Sequence, residues 1–193
     1  MDAVTRTVSA RQAIIDATVE LIRQRGVAGT SIADVIARSG TSAGAIYHHF
    51  GSKEELVLEV GKTAIAKPMA MILDTTPGLA PADILRAALG RVAEDEGLAE
   101  LLLQIWAGAK SDAALFALMR KEGTAMKALV VQFMRSWCAV NAPHADPDNL
   151  TDLLLGLVMG FAVQRALTFD TSLDTYADVG ARVLAGAIEA GRA

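Results

Sequence analysis

A hydroxyl residue that can start a helix, followed by a glycine that can stop one, recurs three times in the first 51 residues. This punctuation leaves that stretch little room for anything but helices. Ser9 has Gln12 three positions on, and the segment ends at Gly26. Ser31 has Asp34 at the same spacing, with Gly40 at its end. Ser42 opens a shorter segment that Gly51 closes, and Ser52 with Glu55 opens the next. A side-chain oxygen at a helix start accepts from N–H groups that lack an intrahelical acceptor. Glycine takes the terminal backbone conformation without a Cβ clash. Between these marks the apolar spacing is helical. Ile14, Ala17, Thr18, Leu21 and Ile22 fall at i, i+3, i+4, i+7 and i+8, and four of the five are apolar.

The rest of the chain continues the pattern. There are only five prolines, and no run alternates with period two over strand length, so the expected fold class is all-α. From Ser52 a connecting helix runs toward Leu73, with Leu56, Val60, Ala64 and Ile65 as its apolar stripe. Pro68 is expected to kink or end it, because proline lacks the backbone donor and clashes with the preceding turn. Thr75-Thr76-Pro77-Gly78 reads as a loop. Further helices are expected near 81–94, 97–109, 111–140, 147–169 and 173–190, with Pro81 and Pro147 in first turns and Asp146 as a cap.

Hydrophobic residues make up 52% of the 193, with mean hydropathy +0.35, so the chain folds rather than staying disordered. The longest apolar stretch, Leu153 to Val163, is eleven residues, short of the roughly 18 of a membrane span. No membrane partner is expected. Such a helix, apolar on every side, is expected to be buried all round, against its own core and a partner. The single cysteine, Cys138, excludes an internal disulfide and reads as a small buried hydrophobe. Residues Met1 to Arg6 have no signal-type apolar run, and a reducing cytoplasm is the expected compartment. The net charge of -4 argues against bulk polyanion binding, yet the sum conceals a split. Through Lys53 there are six Lys/Arg and four acids; beyond it there are twelve basic and eighteen acidic residues.

Two short capped segments joined by Ser39-Gly40-Thr41 make a helix-turn-helix candidate. Ile32, Val35 and Ile36 give the first an inward face; Ile46 and Phe50 anchor the second. Ser42, Ala43, Gly44 and Ala45 give the second helix a small outward face at its start, the end from which recognition helices touch base edges. No paired catalytic constellation accompanies it. Cys138 and His144 lack a third orienting group. His48-His49 are adjacent and do not face each other, so no metal site is expected, and no cofactor is called for. Arg6 and Arg11 are either solvated or reach a minor groove.

The run Thr30 to Ile36, then Ser39 to Phe50, then Ser52-Lys53-Glu54-Glu55-Leu56 resembles the TetR family of one-component transcriptional regulators, over about residues 9–60. The combination of Gly44, Tyr47, Phe50, Lys53 and Leu56 is more specific than a generic helix-turn-helix. The resemblance implies a helix-turn-helix domain over 1–53, the connecting helix at 52–73, and a ligand-binding and dimerisation domain over 74–193. Thr30 and Ser31 match positions that usually touch phosphate, as do Tyr47 and Lys53, with His48 or His49 assisting. Ser42 matches the N-cap of the recognition helix, and Ala43 and Ala45, around Gly44, match positions that face bases. Many members carry Lys or Arg where this chain has Ala43, which shifts readout toward thymine methyls and DNA shape.

The implied partners are double-stranded operator DNA, a small apolar or amphipathic effector, and a second copy of the chain. The effector cavity is expected among Leu102, Trp106, Met119, Phe133, Met134, Trp137, Phe161 and Gln164, although such residues at helical spacing are as readily core. The dimer contact is expected along Leu153, Gly156, Leu157, Gly160, Val179, Val183 and Ala187, with small-residue packing inside one chain as the rival. The rival function is an all-helical small-molecule carrier or interaction protein whose head binds no DNA.

Overall fold

The computed structural model describes residues 9–75, 78–95, 97–167 and 170–191, excepting the side chains of Ile65 and Thr75. Arg6, Thr76, Pro77 and Glu96, and the expected helix end at 168–169, lie outside the described residues. No strand occurs among the described residues. The helices are α1 (Ala10–Arg25), α2 (Ile32–Ser39), α3 (Ala43–Phe50), α4 (Lys53–Gly61), α5 (Lys67–Thr75), α6 (Pro81–Glu94), α7 (Leu98–Lys110), α8 (Ala113–Asn141), α9 (Pro147–Ala166) and α10 (Leu173–Ala190).

The caps form where the sequence puts them. Ser9, Ser31, Ser42 and Ser52 each accept an N–H from three residues on. The Ser31–Asp34 box is reciprocal: the Asp34 N–H donates to the Ser31 hydroxyl (3.2 Å) and the Ser31 N–H donates to the Asp34 carboxylate (3.0 Å). Gln12 instead turns its amide to Asp16, so the first box is only half made. Gly40 stops α2 in the left-handed conformation (φ 68°, ψ 15°), where a Cβ would be strained.

Two compact units divide the chain. The first comprises the chain through Thr63 together with Gln104–Met119; the second comprises Ala64–Leu103 and Arg120 onward. The clustering of residues 104–119, expected in the C-terminal region, with the first unit departs from a linear division of the chain. Its cause is close packing: a Cβ on Gly108 would lie 2.5 Å from the Val27 Cβ, and the Ile105 Cδ1 lies 4.0 Å from where a Gly61 Cβ would be. The core of the first unit joins Ile14, Ile15 and Ile22 of α1 to Val35, Ile46, Leu56, Ile105 and Leu115. Ile32 and Ile36 are only half-buried, so α2 contributes chiefly Val35.

In the second unit α6, α9 and α10 pack together. Gly180 sits so close to α6 that a Cβ there would be 2.6 Å from the Leu85 Cδ2. Phe161 is fully buried beside Tyr176, whose hydroxyl donates to the Leu157 carbonyl at 3.0 Å. Burial pushes the Tyr176 phenol up.

Pro68 does not end its helix, one of the two outcomes expected of it. A π-helical turn, Lys62–Ala66, joins α4 to α5, which continues to Thr75. Pro68 has no N–H to give the carbonyl four residues back, and the wider turn just before it makes room for the ring.

Candidate functional site

On α3 two faces separate cleanly. Ile46 and Phe50 are buried against the core of the first unit. The Arg11 guanidinium lies 5.3 Å from the Phe50 ring centre and 2.5 Å from the Glu59 carboxylate, so Arg11 is held within its own unit. The opposite face carries Ala43, Gly44, Tyr47 and His48, all exposed, with the Tyr47 side chain 52% open. Ser42 is exposed and commits its hydroxyl to the Ala45 N–H at 3.2 Å; Ala45 itself is half-buried. His49 is exposed, its ring edge-on to both His48 and Phe50. Lys53, the first residue of α4, is half-buried and makes no ion pair among the described residues.

Thr30 does not reach this surface. It is buried, and its hydroxyl donates to the Gly26 carbonyl at 2.8 Å, closing the α1–α2 turn. A side chain so used cannot meet a phosphate in this arrangement. Ser31 is exposed but shares its hydroxyl with Asp34. Two hydrogen bonds from Ser31, with the Arg25 guanidinium adding to them, hold the Asp34 carboxyl below its ordinary value. Arg25 pairs with Asp34 at 3.2 Å and Arg38 pairs with Glu20. Three of the six basic residues counted through Lys53, namely Arg11, Arg25 and Arg38, are thus held in ion pairs within the unit. What is left to favour anions at α3 is Lys53 and the N-terminal ends of the short helices.

The expected effector residues scatter. Trp106 and Met119 cluster with the first unit rather than with the other expected residues. Leu102, Met134 and Phe161 are buried core. Gln164 accepts from the Thr171 hydroxyl at 2.9 Å. Phe133 and Trp137 do line a cleft, of about 760 Å³, between α5 and α8. Its other walls were missed: Met71 and Asp74 from α5, and Leu129, Gln132, Ser136, Val140 and Asn141 from α8. The signal was present as the spacing Leu129, Phe133, Trp137, Val140, which is one face of a helix. Cys138 points away into the core, where burial, and then the Asp146 carboxylate, raise its thiol pKa.

Within the single chain the apolar run on α9 is buried on one side only, with Leu154, Phe161 and Ala162 in the core. Gly156 is exposed with nothing near it, and Met159 is 51% exposed. Val179 and Val183 on α10 are also exposed. Leu153, Leu157 and Ala187 are half-buried, and Gly160 packs under Tyr176 of its own chain. Gly160 thus follows the rival reading, whereas Gly156, Val179 and Val183 remain uncovered. Met159 on this face was missed.

The family profile described as "Bacterial regulatory proteins, tetR family" matches residues 14–60. The HTH-type transcriptional repressor Rv3405c of Mycobacterium tuberculosis is 39% identical over 79 residues, 41% of this chain and 40% of that protein. The matched stretch thus spans about two fifths of that relative. Over nearly the full length the fold is similar to Salmonella enterica GusR, with a TM-score of 0.73 at 22% identity, covering 97% of this chain and 100% of that one. It is also similar to NalD, the secondary repressor of the MexAB-OprM multidrug efflux pump in Pseudomonas aeruginosa, with a TM-score of 0.72 at 19% identity, covering 92% and 95%.

Proposed function

From the match of residues 14–60 to the TetR family model, we propose that the chain is a sequence-specific DNA-binding regulator of that family, acting as a repressor released by a small apolar or amphipathic effector. The observation that carries this reading is the exposed face of α3. It is small at its start, carries an open tyrosine one turn on, and is backed by two buried anchors. Ala43 and Gly44 let backbone approach the floor of a major groove, and Tyr47 and Lys53 reach phosphates beside it. Ser31 and Ser42 act through their helix ends. His48 and His49 flank the backbone contact.

The regulator works as an isologous homodimer joined through α9 and α10. The open Gly156, Met159, Val179 and Val183 support this, because an apolar face on a soluble chain marks a contact surface. Two copies present two α3 helices to a pseudo-palindromic site. The effector occupies the α5–α8 cleft, whose volume suits a drug-sized molecule. The connecting helix 52–73, with its π-helical turn, transmits the change. Only an effector with different affinity for the two states can shift them. The cytoplasm is the compartment this function requires, and no described helix is long and apolar enough to cross a membrane.

A gel-shift titration on the DNA upstream of the protein's own coding region tests the reading. Wild-type protein should give a discrete, competitor-resistant complex, Tyr47→Phe should weaken it, and Lys53→Ala should lower the salt slope by about one charge on all sequences alike. Absence of any competitor-resistant complex with the wild-type protein would favour the carrier reading and end this one.

A further inference from the structure

We infer that the α5–α8 cleft selects a hydrophobic organic cation bearing aromatic rings, over a neutral or anionic molecule of the same shape. This rests on the reading of that cleft as the effector site and adds the charge of its occupant.

The walls are apolar and aromatic, with Met71, Leu129, Phe133 and Trp137 among them, and Asp74 is the one charged residue among the described residues that line it. Asp74 is exposed and makes no ion pair or hydrogen bond with any described residue. The nearby cations of α8 are engaged elsewhere: Lys127 pairs with Asp152 at 2.5 Å and Arg135 lies 3.9 Å from Asp148.

Two polar side chains of the wall, Ser136 and Asn141, lean the same way, while the Gln132 amide can both donate and accept. The Ser136 hydroxyl donates to the Gln132 carbonyl at 3.1 Å, and the Asn141 amide donates to the Trp137 carbonyl at 2.9 Å. Each spends a donor on the backbone one turn earlier, leaving oxygen lone pairs for a ligand. Helix ends add to this. Asp74 stands one residue before the last of α5, and Asn141 is the last of α8. A helix C-terminus carries partial negative charge, and the last turn of each of these two helices lines the cleft. Trp137 and Phe133 supply ring faces that attract a cation electrostatically, and the apolar wall covers its hydrocarbon part. An anion would meet a carboxylate, two helix C-termini and acceptor oxygens, with no basic side chain among the lining residues.

The test uses three aromatic probes: tetraphenylphosphonium as cation, triphenylphosphine oxide as neutral molecule and tetraphenylborate as anion. Fluorescence is read on the full-length dimer carrying Trp106→Phe, so that Trp137 is the sole tryptophan. The cation should quench Trp137 and bind at least about tenfold more tightly than either other probe, and Asp74→Asn should weaken the cation by about tenfold while leaving the neutral probe unchanged. Equal or tighter binding of the borate, or a cation affinity indifferent to Asp74→Asn, overturns the charge preference while leaving the cleft as a binding site. Failure of all three probes to reach Trp137 overturns the preference and the cleft reading together. A gel shift with the cation added then reports whether occupancy releases DNA. Retained DNA with normal cation binding counts against the effector role alone.

Discussion

The two units expose opposite kinds of surface. The first unit shows the beginnings of short, serine-capped helices, and its most open large apolar side chain, Tyr47, carries a hydroxyl. The second shows bare hydrocarbon: Met71 and Val140 by the cleft, and Met159, Val179 and Val183 on α9 and α10. The first surface is complete in one chain, because its hydrogen bonds are local. The second is incomplete, because apolar surface in water is satisfied only by covering it. The difference separates a face suited to a polar, charged partner from faces suited to an apolar ligand and a second copy.

The harshest way to break this comparison is to open one core and watch the other. Phe161→Ala removes a fully buried ring from the second unit and should cost about 3–5 kcal/mol in urea unfolding. Amide exchange should quicken mainly in α6, α9 and α10. If α1 to α3 lose protection equally, the units are one cooperative body and their contrast is only of surface.

Glycines sharpen the same contrast at smaller cost. Gly108→Ala in the first unit puts a Cβ 2.5 Å from Val27 and should destabilise by about 1–3 kcal/mol. Gly186→Ala on α10 meets nothing within 4 Å and should stabilise the helix by about 0.4–1 kcal/mol. Thermal melts of the two variants should therefore move in opposite directions. A fall in both would mean that the face around Gly186 is already closely covered, as in a tight dimer.

What could be read from the sequence follows from how local each feature is. The caps of α1 to α4 were legible because Ser-x-x-N–H bonds span three residues. The helix bounds at 81–94 and 173–190 were legible because apolar period and first-turn residues agree. The membership of 104–119 in the first unit was not, because Gly108 meets Val27 across a sequence gap that no local rule bridges. The role of the Thr30 hydroxyl was not legible, because a hydroxyl suits a phosphate and a carbonyl equally, and only the fold places it on the Gly26 carbonyl. The cleft was half legible: Phe133 and Trp137 announced themselves, whereas Asp74 looked like any surface acid until α8 was packed beside α5.

A loss of one cap should weaken the first unit modestly while striking its surface directly. Ser42→Ala leaves the Ala45 N–H without its side-chain acceptor and should cost about 1 kcal/mol in thermal unfolding. Because α3 begins there, DNA retention in the gel shift should fall by more than the stability loss explains. Proportionate falls in both would reduce Ser42 to a purely structural cap.

The smallest effect lies in the pH dependence of the Ser31–Asp34 box. The Asp34 carboxyl is held below 3.8 by its two hydrogen bonds from Ser31, with Arg25 beside it. Its folded pKa is depressed, so the folded state binds the proton less readily than the unfolded chain does. The resulting stability is fully present above 3.8 and is lost as pH falls from that value through the folded pKa. Ser31→Ala removes the two side-chain bonds, leaving the backbone bond and Arg25. Urea midpoints measured for wild type and Ser31→Ala should differ most at neutral pH and converge in the acid range. The partial exposure of Asp34 keeps the slope shallow and sensitive to added salt. A gap that stays constant into acid would assign the whole effect of Ser31 to its neutral cap and none to the charge it holds.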